Sequence, residues 1–93
     1  MLKISAKVAA KLAAKTPPVT RQEIEECFAN RTGHYLVDTR EEHASDPPTR
    51  WFIAETNFGR KLKVVFIPLE KEIVIRTEYD PNEDERRIYK KYG

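Results

Sequence analysis

The stretch Arg50 to Tyr79, RWFIAETNFGRKLKVVFIPLEKEIVIRTEY, decides the fold. It contains three segments rich in β-branched and aromatic residues, separated by two turn signals. The first turn is Asn57-Phe58-Gly59, in which the glycine can take a positive φ, and the second runs from Pro68 to Lys71. The stretch therefore predicts a meander of three antiparallel strands, and such a sheet needs another layer on its apolar face.

Alternation along the second and third strands predicts two unlike faces. A four-residue second turn places Lys63 directly opposite Arg76 on the polar face. Like charges in this position destabilise a sheet by about 0.2–1 kcal/mol, and a bound anion would reverse the effect. Alternatively, both side chains point into water, or Glu55 and Glu78 neutralise them. The apolar face is predicted to collect Leu62, Val64, Phe66, Ile73, Ile75 and Thr77.

The register of the strand that contains Trp51 stays open. A three-residue turn would place Phe52 and Ala54 in the core, whereas a two- or four-residue turn would place Trp51 and Ile53 there. The register also decides whether Glu55 lies on the polar face with Lys63 and Arg76.

Residues 5–15 predict a first helix, since Ile4, Val8 and Leu12 recur at a spacing of four and Ser5 can cap it. The lysines at the same spacing form an adjacent basic row: Lys3, Lys7, Lys11 and Lys15. This row either contacts phosphates or is a solvated face whose lysine stems shield the apolar stripe.

A second helix is predicted to begin at Thr20, which forms a capping box with Glu23. Cys27 falls on its apolar side and is interpreted as a small buried hydrophobe. Gly33 is predicted to end the helix in the left-handed conformation. Residues 34–39, HYLVDT, then predict a first short strand.

A long polar connection, residues 40–49, precedes the meander and contains His43 among several carboxylates. One histidine among loop carboxylates has no fixed ligand geometry, so we expect no metal site there.

After the meander, Asp80 and Glu83 predict the capping box of a final helix. Its acidic start and basic end suit the helix dipole, which by itself could explain the basic residues.

The composition indicates one small domain, residues 1–93, with a net charge of +2. This charge excludes a strongly basic protein, so any nucleic-acid binding would come from a local patch. A single cysteine excludes an internal disulfide, and the lysine-interrupted N-terminus does not predict a signal peptide. We therefore expect a cytoplasmic protein with no membrane span and no cofactor. The predicted fold is α+β, with two N-terminal helices, a four-stranded antiparallel meander sheet and a short C-terminal helix.

The strings RWFIAET, GRKLKVVF and EIVIRTEY, followed by an acidic-basic helix, resemble the RelE/BrnT-like type II toxins. The string VTRQEIEECFANRTG is similar to the helix before the sheet in BrnT-like proteins and their small uncharacterised relatives. The resemblance covers most of the chain from Val19 onward and rests on pattern and element order.

The resemblance implies a toxin that cleaves messenger RNA, often at the ribosome, with the RNA's own 2′-hydroxyl as nucleophile and without a metal. It also implies an antitoxin partner, and the chain could form a homodimer. Glu55 or His43 would be the base, and Tyr79 a stacking or proton-donating group. The implied catalytic set is Glu55, Lys63, Arg76, Tyr79 and His43, and the implied RNA-binding set is Arg50, Arg60, Lys61, Lys7 and Lys11. The alternative is a non-catalytic module of the same fold that binds nucleic acid or a protein.

Overall fold

The computed structural model describes residues 2–15, 17–37, 49–79 and 81–93, and gives residues 77–79 as backbone alone. Within these ranges the fold is α+β, with three helices and a five-stranded mixed sheet. The strands are β1 Leu2–Ile4, β2 Leu36–Val37, β3 Arg50–Glu55, β4 Lys61–Pro68 and β5 Ile73–Tyr79. The helices are α1 Ala6–Ala13, α2 Arg21–Asn30 and α3 Glu83–Tyr92. Across the sheet the order is β1-β5-β4-β3-β2.

The sheet has one strand more than the sequence predicted. β1 pairs in parallel with β5, with Leu2 opposite Ile73 and Ile4 opposite Ile75. The prediction of a four-stranded, all-antiparallel sheet is therefore wrong at this edge, although the antiparallel pairing of the other four strands is confirmed. A three-residue strand is too short to show an alternating pattern, and its partner lies far away in the chain.

The predicted cap of the first helix is confirmed, because the Ser5 side chain accepts a hydrogen bond from the Val8 N–H at 3.2 Å.

The pairing of β4 with β5 also differs from the prediction. Lys63 lies opposite Tyr79, and a β-bulge leaves Arg76 as the extra residue of β5. The predicted Lys63–Arg76 pair is therefore wrong. The turn occupies residues 69–72, one position later than predicted, because the Leu69 N–H donates to the Glu72 carbonyl at 2.8 Å. Moving the turn by one position changes the β5 partner of each β4 residue by two, and the bulge adds one more, so Lys63 faces Tyr79 instead of Arg76.

The turn between β3 and β4 decides the register of β3. The Thr56 N–H donates to the Arg60 carbonyl at 2.9 Å, which leaves a three-residue turn with Gly59 at a φ of +85°. As expected for a turn of this length, Phe52 and Ala54 face the core. Trp51, Ile53 and Glu55 point to the opposite side of the sheet.

The core lies between the sheet and the pair α1 and α2. We call this side of the sheet the helix face. Its buried residues are Leu12, Val19, Ile24, Cys27, Phe52, Ala54, Leu62, Val64, Phe66 and Ile75. Four rings pack here at tilted or edge-to-face angles, with centroids 4.8–6.4 Å apart: Phe28, Tyr35, Phe52 and Phe66. The prediction that Cys27 is a buried hydrophobe is confirmed.

The sequence predicted two capping boxes from the same local pattern, and one of the two predictions is correct. Thr20 and Glu23 form the box that starts α2. The box of α3 is formed by Asn82 and Glu85, two residues later than predicted, and Asp80 lies outside the described residues. Both spacings satisfy the capping-box pattern, so the sequence alone does not distinguish them.

Candidate functional site

The side of the sheet that points away from α1 and α2 carries charged and aromatic side chains, and we call it the α3 face. Trp51 and Lys63 lie there and are only 8% and 5% exposed. The Lys63 ammonium lies 4.5 Å from the centroid of the Trp51 ring and forms an ion pair with the Glu85 carboxylate of α3. Lys63 was predicted to contact a phosphate, whereas its ammonium is held between a carboxylate and an indole ring.

Tyr89 of α3 is the second contact between α3 and the sheet. Its ring centroid lies 5.8 Å from that of Trp51. Its hydroxyl lies against Gly33, where an added Cβ would come within 2.7 Å of the Tyr89 oxygen. Gly33 does not have the predicted left-handed conformation, since Gly59 is the glycine with positive φ in the described part of the chain. Gly33 instead allows the close approach of α3.

The Tyr89 phenol is neutral at physiological pH. Burial raises its pKa above the usual value of 10.0, the charge of Arg31 opposes this rise, and Tyr35 adds to it. Among the described residues the phenol oxygen has no hydrogen-bond partner. A buried hydroxyl in this state contributes packing rather than hydrogen bonding to the attachment of α3.

An open groove of about 800 Å³ lies between the end of α2, the end of β3 and α3. Its lining comes from three parts of the chain: Asn30 and Thr32, residues 53–57 with Lys61, and Arg86, Tyr89 and Lys90. The attachment of α3 through Glu85 and Tyr89 therefore fixes one wall of the groove.

The groove contains more positive than negative charge. Three of its lining residues are cations, Lys61, Arg86 and Lys90, and one is a carboxylate, Glu55. All four side chains are exposed. Arg86 and Lys90 are four residues apart on α3 and so project from the same side of the helix. Glu55 and Lys61 are directly opposite in the pairing of β3 with β4. The three cations suit an anionic ligand, and such a ligand would also contact the Glu55 carboxylate.

The outer edge of β3 lies beside the groove. Among the described residues, β2 pairs with the first two residues of β3 alone, and the side chain of Asn30 bonds to the edge of β3 beyond them. The Asn30 Nδ2 donates to the Glu55 carbonyl at 2.9 Å and to the Asn57 Oδ1 at 3.0 Å. The Asn57 N–H donates to the Glu26 Oε1 at 2.9 Å. These bonds hold the carboxyl end of β3, and with it Glu55, at a fixed position along the groove.

Two of the predicted RNA-contacting residues lie in other surroundings. Arg60 donates to the carbonyls of Pro17 and Pro18, both at 3.0 Å, and lies 3.6 Å from the Glu23 carboxylate. It therefore ties the α1–α2 connection to the hairpin. Arg50 begins β3 on the helix face, and its buried Nε has no hydrogen-bond partner in the part of the chain that the structure describes.

The remaining predicted site residues are not brought to the groove. Lys7 and Lys11 are exposed on α1, which packs on the helix face. Arg76 is exposed on β5, and β4 separates that strand from β3. The Tyr79 side chain and His43 lie outside the described residues. Of the ten predicted positions, Glu55 and Lys61 are the two found in the groove lining.

Sequence reasoning missed the groove residues of α3. The helix dipole was enough to explain all the basic residues at the end of α3. It did not distinguish those that line the groove from those that do not. Arg86 and Lys90 line the groove, whereas Arg87 pairs with Asp84 at 2.9 Å and Lys91 lies over the Tyr92 ring. The spacing of four between Arg86 and Lys90, with Tyr89 between them, was the available signal.

Two common features are absent from the described ranges of the chain. No three His, Cys, Asp or Glu side chains there lie close enough together to hold a metal ion. None of the three helices there is long and apolar enough to cross a membrane.

Comparisons of the chain with protein-family models, curated proteins and solved structures returned no match. The likeness to RelE/BrnT-like toxins therefore stays a prediction from the sequence.

Proposed function

We propose that the protein binds RNA in the groove beside α3 and cleaves it by a metal-independent reaction, as the toxin of a type II toxin–antitoxin pair. The observation that carries this proposal is the placement of Lys61, Arg86 and Lys90 around one exposed carboxylate, Glu55. Cations stabilise a phosphate on which negative charge develops, and a carboxylate can accept a proton beside it. Both groups are needed for cleavage by the 2′-hydroxyl.

Binding rests on the three cations. Each cation that contacts a phosphate releases counterions from the nucleic acid, so the affinity falls as the salt concentration rises. The groove is open rather than enclosed, which suits a polymer that runs along it. The sheet and α3 supply cations from opposite walls, so a strand in the groove would be contacted from two sides.

Cleavage rests on Glu55. Its carboxylate would accept the proton of a 2′-hydroxyl, and the resulting oxygen would attack the neighbouring phosphorus. The bond from phosphorus to the 5′-oxygen then breaks, that oxygen takes up a proton from water, and Glu55 releases to water the proton that it accepted. The products are a 2′,3′-cyclic phosphate and a free 5′-hydroxyl. Lys61, Arg86 and Lys90 would stabilise the extra negative charge on the phosphate during attack.

The test of cleavage is the variant Glu55→Gln, which keeps the shape of the side chain and removes its basicity. We expect the rate of cleavage of labelled RNA to fall by roughly 10²–10⁴-fold, as for loss of a general base. The binding affinity should be retained or increase slightly. Glu70→Gln, at an exposed position in the β4–β5 turn, is the matched control. Equal rates in the wild type and Glu55→Gln would contradict the assignment.

The test of binding compares neighbouring cations on α3. Lys90→Ala should weaken RNA binding and reduce the slope of log affinity against log salt by about 1, whereas Lys91→Ala should leave the slope unchanged. Arg86→Ala and Arg87→Ala form a second pair with the same expectation. Equal effects within each pair would show that the general charge of α3, and not the groove, attracts the RNA.

The test of the toxin assignment is growth. Induced expression in bacteria should arrest growth with loss of messenger RNA, and Glu55→Gln should relieve the arrest. A small neighbouring reading frame should encode a protein that copurifies with the chain and suppresses the arrest. Unimpaired growth on expression of the wild type would remove the toxin assignment.

A non-catalytic RNA-binding module is the second candidate, and a specific observation favours it. Lys63, which the resemblance to RelE/BrnT-like toxins placed in the catalytic set, is in an ion pair with Glu85, and Arg76 lies two strands away from β3. Neither of the two cations of the implied catalytic set therefore lines the groove with Glu55. Salt-dependent binding of RNA with no product on long incubation would support this candidate over the enzyme.

A further inference from the structure

Phe58 at the tip of the β3–β4 turn is 96% exposed. The large rings of Phe52 and Phe66, by contrast, are 0% and 1% exposed in the core. A phenylalanine in full contact with water contributes nothing to the core and leaves its whole apolar surface hydrated. The ring is therefore available to contact a molecule outside the chain.

The turn that carries Phe58 is held rigidly. The buried Thr56 hydroxyl accepts hydrogen bonds from the N–H groups of Phe58 at 3.4 Å and Arg60 at 3.2 Å. The Gly59 N–H donates to the Thr56 carbonyl at 3.0 Å, and Gly59 supplies the left-handed conformation that closes the turn. The backbone at Phe58 is thus fixed before binding, which lowers the entropy cost of binding.

The same turn is anchored from outside. Its N-terminal side is bonded to α2 through Asn57 and Glu26, and its C-terminal side to the α1–α2 connection through Arg60. The backbone is thus fixed while the ring at its tip remains free.

The neighbours of Phe58 connect it with the groove. Asn57 precedes it and Lys61 follows three positions later, and both line the groove. An aromatic ring beside a cationic groove is the combination that binds single-stranded nucleic acid, because the cations contact phosphates and the ring stacks on a base. A base can stack on a protein ring only when it is not paired within a duplex.

We propose that Phe58 stacks on an unpaired base of the strand whose phosphates occupy the groove, so that the substrate is single-stranded RNA. This inference rests on the proposed RNA binding of the groove and adds the class of RNA that binds. A protein partner with an apolar pocket is the competing occupant of this ring, and the groove cations Lys61, Arg86 and Lys90 favour RNA.

The experiment measures the affinity of the full chain for a short fluorescently labelled single strand and for the matching duplex at low salt. Phe58→Ala should weaken single-strand binding by roughly tenfold, the effect of losing one stacked base, and leave duplex binding unchanged. Phe58→Leu, which keeps an apolar side chain without a ring, should behave like Phe58→Ala. Phe58→Trp should retain the affinity, and Leu69→Ala, at the exposed tip of the other turn, is the control.

A direct signature comes from Phe58→Trp. Trp51 is the one native tryptophan and is buried, so the exposed tryptophan at position 58 dominates any change on binding. Its fluorescence should be quenched by the single strand and not by the duplex.

The outcomes separate this inference from the function it rests on. If Phe58→Ala and Phe58→Leu bind the single strand as the wild type does while Lys90→Ala binds it weakly, stacking by Phe58 is wrong and the groove assignment stands. The ring would then be assigned to a protein partner. If the wild type binds neither single strand nor duplex, the proposed function fails and the stacking fails with it.

Discussion

The helix face and the α3 face of one sheet are built from different chemistry. On the helix face, Phe52 and Phe66 are buried among aliphatic and aromatic side chains of α1 and α2. On the α3 face, a buried lysine lies between Trp51 and the Glu85 carboxylate. Apolar burial is non-directional and supplies most of the folding free energy, whereas ion pairs supply little net free energy and depend on geometry.

The two faces of the sheet therefore have different roles. The helix face holds the fold together, and the α3 face sets the position of α3. Because Arg86 and Lys90 lie on that helix, its position determines where two of the three groove cations are found. A substitution on the helix face should therefore affect stability first, and one on the α3 face should affect the groove as well.

The largest effect is expected on the helix face. Phe52→Ala removes a fully buried ring from the aromatic cluster and should lower the free energy of unfolding by about 3–5 kcal/mol. Urea denaturation measures this change. Phe58→Ala is the matched control, and we expect it within about 0.5 kcal/mol of the wild type because its ring is exposed. Similar losses in both variants would contradict the assignment of the core.

The ion pair of the α3 face should give the next largest effect. Lys63→Ala leaves Glu85 charged and largely buried, which should cost roughly 3 kcal/mol of unfolding free energy. The double variant Lys63→Met with Glu85→Gln removes both charges, keeps an acceptor for the Asn82 N–H, and should recover most of that loss. Thermal and urea unfolding of Lys63→Ala and of the double variant gives the comparison. A double variant no more stable than Lys63→Ala would show that the geometry of the pair, and not the unpaired charge, matters.

The contact between Gly33 and Tyr89 should give a smaller effect. Gly33→Ala places a methyl group against the Tyr89 hydroxyl, so α3 must move, at a cost of about 1–2 kcal/mol. The fluorescence of Trp51 should change because its ring contacts Tyr89, and RNA binding by the groove should weaken. Adding Tyr89→Phe removes the clashing oxygen and should restore part of the stability. Unchanged Trp51 fluorescence would mean that the docking of α3 does not depend on this contact.

The smallest effect concerns pH. Burial raises the pKa of Tyr89, so the folded protein holds this proton more tightly than the unfolded chain, whose phenol has the usual pKa of 10.0. The stabilising contribution is complete below pH 10 and is lost as the pH rises through the folded pKa. Between neutral and strongly alkaline pH, the wild type should therefore lose more stability than Tyr89→Phe does. Tyr92→Phe, at an exposed ring, should follow the wild type.

Local signals in the sequence predicted a good part of the fold. The Ser5 cap, the Thr20–Glu23 capping box and the antiparallel meander are each encoded within a few residues, and the structure confirms all three. The burial of Cys27 followed from helical periodicity. For the site, Glu55 and Lys61 were among the residues implied by the resemblance to RelE/BrnT-like toxins, and both line the groove. The sequence left the register of β3 open, and the three-residue turn after β3 decided it.

Two of the errors arose because two local solutions were equally good, and a third arose because the sequence carries no signal for a β-bulge. Asp80 and Asn82 both begin a valid capping box, and only the box from Asn82 places Glu85 at the third helical position, where it meets Lys63. The turn after β4 could begin at Pro68 or one residue later, and the bulge at Arg76 has no signature in the sequence. A β-bulge depends on how strands twist and pack, which residue spacing does not record.

The sequence by itself determined the helices, the meander and the apolar helix face, because periodicity and capping act over a few neighbouring residues. Only the tertiary structure decided that β1 joins the sheet, that Lys63 pairs with Glu85, and that α3 brings its cations to Glu55. These contacts join segments that are far apart in the chain. Their free energies depend on positions that are fixed only once the sheet has formed and α3 has packed against it.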